Sequence, residues 1–293
     1  MTAQSSSMRS AAITAGRRQP MTPGRLVSRV AIYLVLSVGA LLAAFPFIWM
    51  VLTSLKTQQE ALRFTILPKV LQWHNYPDAW HAAPFGRYFF NTIVIAVLVV
   101  VGMLFTSTLA AYAFARLNFW GKNIIFALFL ATMMIPFEAT LIPNYIIINR
   151  LHWYNTFLAL IVPWTASVFS IFLLRQFFVA VPQDLYDAAA LDGCGHFRTL
   201  WSVVLPLARA PLAATIIFSF LGSWNSLLWP LMVTSKESIR PLQLGLAVFV
   251  NADNNDPQNL MAASVFTILP IIIFYFVAQR QFIEGIASSG LKG

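Results

Sequence analysis

The sequence predicts an all-α, polytopic membrane protein with six transmembrane helices and a cytoplasmic coupling helix between the fourth and the fifth. Three observations carry that prediction. Of the 293 residues, 59% are hydrophobic and only 10% are charged, whereas soluble domains carry about 25% charged residues. Apolar runs recur at the roughly 20-residue length that a ~30 Å hydrocarbon core demands. One polar interruption, 182–206, is far longer than the half dozen or so residues that a plain connection needs. In lipid the backbone must satisfy its own hydrogen bonds, so the apolar runs are helices.

Taken in order, residues 1–25 are polar, Ser-rich and basic; we expect a disordered cytoplasmic tail, without a cleaved signal peptide. Residues 26–293 form one six-helix domain, with spans at about 30–55, 89–115, 124–142, 157–179, 207–233 and 261–282. The first external loop, about 57–88, holds Trp73, Tyr76 and Trp80, residues suited to a membrane-interface belt. The third external loop, about 235–260, contains Asn251, Ala252, Asp253, Asn254, Asn255, Asp256 and Pro257. Such residues favour turns, which makes this tip either a plain connector or a contact for an external partner. It lacks the Gly and the closing Glu of a calcium loop.

The formal net charge of +9 describes topology and not nucleic-acid binding. Twelve of the nineteen cations, Arg9, Arg17, Arg18, Arg25, Arg29, Arg116, Lys122, Arg175, Arg198, Arg209, Arg280 and Lys292, fall on one side of the six spans. The positive-inside rule then places both termini and the 182–206 loop in the cytoplasm. The single Cys194 excludes an intrachain disulfide and a cysteine-based metal cluster. No P-loop is present, since Gly121-Lys122-Asn123 and the 285–290 glycines both lack its Gly-Lys-Ser/Thr ending. His74, His81, His152 and His196 are scattered over separate loops, so no metal site is expected. Neither is a nucleophile–His–acid set found, and the chain is read as a non-enzyme.

The polar interruption reads residue by residue. Val181-Pro182 ends the fourth span, because the residue before proline is steered out of the helical region. Asp184 is expected to cap a new helix, with Asp187 where a capping box places a carboxylate. Ala188, Ala189 and Ala190 are strong helix formers with little bulk, which admits a partner surface close to the backbone. Asp192-Gly193 stops this helix, Gly193 taking the left-handed conformation after its end. Phe197, Leu200, Trp201 and Val204 follow at i, i+3, i+4 and i+7, one apolar stripe expected to lie against the bundle. Leu205-Pro206 leads into the fifth span.

The stretch from Asp187 to Pro206 resembles the EAA loop of the integral-membrane subunits of bacterial ATP-binding-cassette importers, Glu-Ala-Ala, three residues, Gly, nine residues and Ile-x-Leu-Pro. Asp187 and Val203 stand for Glu and Ile; Ala188, Ala189, Gly193, Leu205 and Pro206 match, as does Asp192 between them. Met134-Ile135-Pro136, Ile142-Pro143, Trp224-Asn225, Trp229-Pro230-Leu231 and the Gly-rich 285–293 end are similar to the carbohydrate-uptake branch, in particular to the smaller permease of maltose-type systems. The resemblance covers about residues 25–293. It implies a bacterial inner-membrane location, a second permease subunit, two cytoplasmic ATPase subunits that hold ATP and Mg, and an extracytoplasmic solute-binding protein. It implies also that the Asp187 helix docks in an ATPase cleft, with a carboxylate one methylene shorter than the family's Glu. The implied solute is a sugar, glycoside or polyol, with glycerol-3-phosphate and its diesters as the alternative.

Polar groups within spans mark a pathway or a helix contact. Asn225, Trp224 and Asn91 are the candidates for a solute path, and an interhelical hydrogen bond is the competing reading of Asn225. Asn251, Asp253, Asn254, Asn255 and Asp256 are the candidate contacts for the binding protein. Pro136, Pro143, Pro163 and Pro230 can bend helices near moving faces. Inverting a 99:1 conformational preference requires about 5.5 kcal/mol, a source this chain lacks and a cytoplasmic ATPase supplies. A secondary transporter would show inverted repeats and paired intramembrane charges, which are not found. A scaffold that recruits a cytoplasmic protein is the remaining alternative.

Overall fold

A computed structural model describes residues 23–63, 65–249 and 256–290, and its regular elements are helices throughout. They are α1 (Pro23–Ser54), α2 (Gln58–Leu62), α3 (Asn75–His81), α4 (Phe85–Arg116), α5 (Lys122–Thr132), α6 (Phe137–Arg150), α7 (Phe157–Ile161), α8 (Val168–Ala180), α9 (Gln183–Leu191), α10 (His196–Thr199), α11 (Leu205–Leu207), α12 (Arg209–Trp224), α13 (Leu228–Val233), α14 (Leu242–Gly245) and α15 (Pro257–Gly290). The chain divides into two compact units, Met1–Trp49 and Met50–Gly293. In the first, Val35, Leu41, Leu42 and Phe45 of α1 are exposed, as side chains that meet lipid should be.

In the second unit α4 is the spine. Tyr88, Thr92, Ile95, Val99, Met103, Ser107 and Ala111 recur every three or four residues and are all buried. That periodicity puts them on one helix face, while Phe90, Ile93, Val97, Val101 and Phe105 stay exposed on the other. The buried face packs along α8 and α12, and α12 packs on α15. Three apolar clusters follow one another along it. The first gathers Phe85 and Tyr88 with Trp224 and Leu242, the second Ile95 and Val99 with Leu160 and Trp229, the third Ala111 and Tyr112 with Leu174, Phe178, Leu200 and Val204. Gly102 lets α4 approach the α7–α8 connection: a Cβ there would lie 2.6 Å from Thr165 Cγ2. Thr106 Oγ1 donates to the Thr165 carbonyl beside it.

Among the described residues, four helical runs are long and apolar enough to span a membrane, Ser28–Ser54, Phe85–Arg116, Phe157–Ala180 and Pro257–Gln279. Two bent pairs raise the number to as many as six. The third and fifth spans, expected at about 124–142 and 207–233, are bent helix pairs. The third is α5 and α6, bent by 101° at the turn before Pro136, which cannot supply a helical amide hydrogen. The fifth starts with an 85° bend between His196–Leu207 and Arg209–Trp224 and breaks again at 225–227, before the short α13. Between α1 and α4, Trp73 and Trp80 are both exposed, Trp80 packs edge-on against Phe266 at 5.3 Å and Tyr76 Oη shares a 2.8 Å hydrogen bond with Ser54 Oγ. Trp73 in turn stacks on Tyr76 with ring centres 6.4 Å apart, so all three belt aromatics touch protein.

Candidate coupling loop and pathway cavity

The 182–206 interruption folds as α9, a glycine turn and α10, and then continues through a π-helical turn, Leu200–Val204, into α11. Helix α9 begins two residues earlier than a cap at Asp184 implies. Pro182, with φ −54° and ψ 140°, is the N-cap, and Asp184 lies in the first turn; the proline ring fixes φ and removes an amide that would have no partner there. Asp187 lies a turn inside, where its Oδ1 accepts from Gln183 Nε2 at 2.9 Å. The helix ends on paired bonds, Gly193 N to Ala190 O at 3.0 Å and Cys194 N to Ala189 O at 2.9 Å. Gly193 has φ +74°, the left-handed geometry of a Schellman stop.

A feature that the sequence reading passed over fastens the loop to the bundle. Arg116, the last residue of α4, donates from Nη1 to Gln183 Oε1 at 2.9 Å and from Nη2 to the carbonyls of Phe178 at 2.8 Å and Val181 at 2.6 Å. Its guanidinium also lies 3.6 Å from the centre of the Tyr186 ring, and the Tyr186 hydroxyl donates to Phe178 O at 3.2 Å. A cation over an aromatic face contributes about 0.5–2 kcal/mol, and each hydrogen bond from a charged group about 1.5–3 kcal/mol. One turn earlier, Tyr112 Oη stands 3.4 Å from His196 Nδ1 of α10. Lys122 and Arg175 complete the cationic end of α4, donating to the carbonyls of Leu117 at 2.9 Å and Phe114 at 3.2 Å. Cations at a helix C-terminus satisfy its last carbonyls and complement its dipole. The sequence offers Arg116 only as one charge of the topology count.

The apolar stripe of the second helix is a correction. Leu200 and Val204 are buried, but Phe197 is 64% and Trp201 62% exposed, with their rings stacked at 6.3 Å. The π turn holds more residues than an α turn, so 197/201 and 200/204 part onto different faces. Leu191, at the end of α9, is 90% exposed. The loop therefore presents Leu191, Phe197 and Trp201 outward, next to the carboxylates of α9. Beneath it, a polar cavity of about 630 Å³ is lined by Tyr112, Arg116, Gln183, Asp187 and His196, among others.

A second cavity, of about 400 Å³, lies among α4, α8, α12 and α13. Thr92, Ile95, Val99 and Met103 line it from α4, Phe169 and Ser170 from α8, and Trp164 and Trp229 add aromatic surface. From α12 and the break after it come Ser219, Gly222, Ser223 and Ser226. They stand at i, i+3, i+4 and i+7, a polar stripe in an apolar segment that the sequence reading did not single out. No lining residue carries a charge.

The solute-path candidates are placed apart from this cavity. Trp224 is 1% exposed, donates from Nε1 to Thr267 O at 3.3 Å and packs in the cluster with Phe85 and Tyr88. Its polar handle is thus spent on α15, and it is not a wall of the cavity. Asn91 is buried and donates from Nδ2 to the carbonyls of Ser238 at 3.0 Å and Arg240 at 2.9 Å, tying the α13–α14 connection to α4. Asn225 caps the C-terminal end of α12 and is exposed; its amide donates to Leu221 O at 3.0 Å. Asp256 opens α15, accepting from Asn259 Nδ2 at 2.7 Å and from Gln258 Nε2. Asn251, Asp253, Asn254 and Asn255 lie outside the described residues.

Sequence comparison assigns the class. Residues 104–287 match the family described as binding-protein-dependent transport system inner membrane component. The chain belongs to this family, as a multi-pass inner-membrane permease component of a multi-subunit transport system. It is 35% identical, over 93% of its own length and 99% of the relative's, to the arabinooligosaccharides transport system permease protein AraQ of Bacillus subtilis (strain 168). To the sn-glycerol-3-phosphate transport system permease protein UgpE of Yersinia enterocolitica it is 34% identical, over 88% and 95% of the two chains. Its fold is shared, at a TM-score of 0.79 and 23% identity over 90% of this chain and 99% of the other, with a chain of a bacterial ABC transporter involved in the import of the acidic polysaccharide alginate.

Proposed function

We propose that this chain is the permease subunit through which an ATP-driven importer moves a neutral sugar or sugar-like solute. It forms half of the pathway with a second permease, carries six spans with both termini in the cytoplasm, and binds no ATP itself. ATP and Mg reside on two cytoplasmic ATPase subunits, one of which receives α9 through Asp187, Ala188, Ala189 and Gly193, with Asp192, Leu205 and Pro206 fixing the loop's ends. An external binding protein delivers the solute, with Asn251, Asp253, Asn254, Asn255 and Asp256 as its candidate contacts. One observation carries this reading: the loop with its outward Leu191, Phe197 and Trp201 is fastened to α4 and α8, and the same two helices wall the 400 Å³ cavity. Exposed apolar side chains on a polar loop mark an interaction surface, and a loop so fastened can convert closure of a partner into a change of the cavity.

The uncharged lining favours a neutral solute. Serine hydroxyls and aromatic faces suit sugar hydroxyls and sugar rings, whereas a phosphate is held by Arg, Lys or free backbone amides. The likeness to UgpE keeps glycerol-3-phosphate as the second reading. ATPase activity of the purified complex in lipid decides between them, measured with the binding protein loaded with arabinooligosaccharide, maltooligosaccharide or glycerol-3-phosphate. Stimulation by a neutral saccharide is expected. Stimulation by glycerol-3-phosphate alone would reassign the solute, and failure of any ATPase subunit to co-purify would remove the importer reading.

A further inference from the structure

We propose that Arg116 is the positioning residue that locks the joint between α8 and α9, so that movement of α9 reaches the cavity instead of being lost at the joint. This rests on the permease reading above. The joint is two residues long and extended, Val181 at φ −65°, ψ 128° and Pro182 at φ −54°, ψ 140°, and Pro182 offers no amide to a helical bond that would cross it. Left to its backbone, such a joint swivels.

One guanidinium grips both sides of it from a third helix. It bonds the Phe178 carbonyl in the last turn of α8, the Val181 carbonyl in the joint and the Gln183 side chain in the first turn of α9, and it stacks on Tyr186. The helix that carries it, α4, runs 32 residues with no proline, about 48 Å at 1.5 Å per residue. At mid-length α4 puts Thr92, Ile95, Val99 and Met103 on the cavity. The loop's other exit, into α12, is a poor transmitter, because a π turn, Pro206 and the 85° bend intervene. The stiff route from α9 to the cavity therefore passes through Arg116 into α4 and α8 together.

Capping α8 would be a merely structural role, and it would change assembly and stability without changing the amount of solute imported for each ATP hydrolysed. That ratio is the readout, measured on the full complex in proteoliposomes with the loaded binding protein. For Arg116→Gln the ratio should fall at least about fivefold, the lower end of common coupling effects. Tyr186→Leu, which keeps the three hydrogen bonds of Arg116 but removes its ring seat and the Tyr186–Phe178 bond, should lower it less. Arg175→Gln is the control, since Arg175 bonds an α4 carbonyl but touches neither the joint nor α9; its ratio should equal that of the wild type. An assembled Arg116→Gln complex with the wild-type ratio overturns the proposal. If that variant does not assemble, Tyr186→Leu decides, and a wild-type ratio there overturns it equally. A wild-type complex without ATP-dependent import would instead overturn the permease reading, and this inference with it.

Discussion

At the scale of single residues, Gly193 and Arg116 hold the loop in opposite ways. Gly193 fixes it through its own backbone. At φ +74° a side chain with a branched β carbon is strained, and left-handed backbone costs an L-residue about 1–2 kcal/mol. No neighbouring atom lies within 4 Å of the position a Cβ would take, so Gly193→Val should act through backbone strain and not through a clash. We expect it to leave the protein in the membrane at normal abundance and to abolish solute uptake; normal uptake by the variant would contradict the coupling role of α9. Gly193 was legible in the sequence, because a helix stop writes itself into adjacent residues. Arg116 was not, because its partners lie 62 to 67 positions further along the chain and no local spacing marks them.

At the scale of elements, α12 shows how a helix face outranks a conspicuous residue. Trp224 and Asn225 drew the sequence reading by size and polarity. Successive residues on a helix are about 100° apart, and the face that meets the cavity is the one carrying Ser219, Gly222, Ser223 and Ser226. A Cβ built on Gly222 meets no neighbouring atom within 4 Å, so the start of a side chain there is not blocked. Gly222→Trp should obstruct the cavity, suppressing import while ATPase subunits still co-purify; unimpaired import would remove the cavity from the pathway. The α5–α6 bend was half legible. Pro136 announced a break, but its 101° angle comes from what each half packs against: α5 on α8, and α6 on α13.

At the scale of the whole molecule, charge predicts an orientation that can be tested. The Arg116, Lys122 and Arg175 end of α4 and the 182–206 loop share one side of the bundle, the side that the positive-inside rule assigns to the cytoplasm. Cys194, the single cysteine, is free and half-buried in that loop, which makes the native chain its own reporter. A membrane-impermeant maleimide should label it in inverted membrane vesicles and leave it unlabelled in intact cells. The opposite pattern would invert the topology and separate the loop from any cytoplasmic ATPase.

The sequence by itself determined the class of solvent around the chain, the helical secondary structure, and the loop with its glycine stop and its likeness to the importer family. These depend on composition and on residues close together along the chain. The tertiary structure decided where the spans bend, which face of α12 meets the cavity, why Phe197 and Trp201 face outward, and that Arg116 joins three helices. Each of these arises between segments distant in sequence, where packing selects one partner among many that local propensity allows equally.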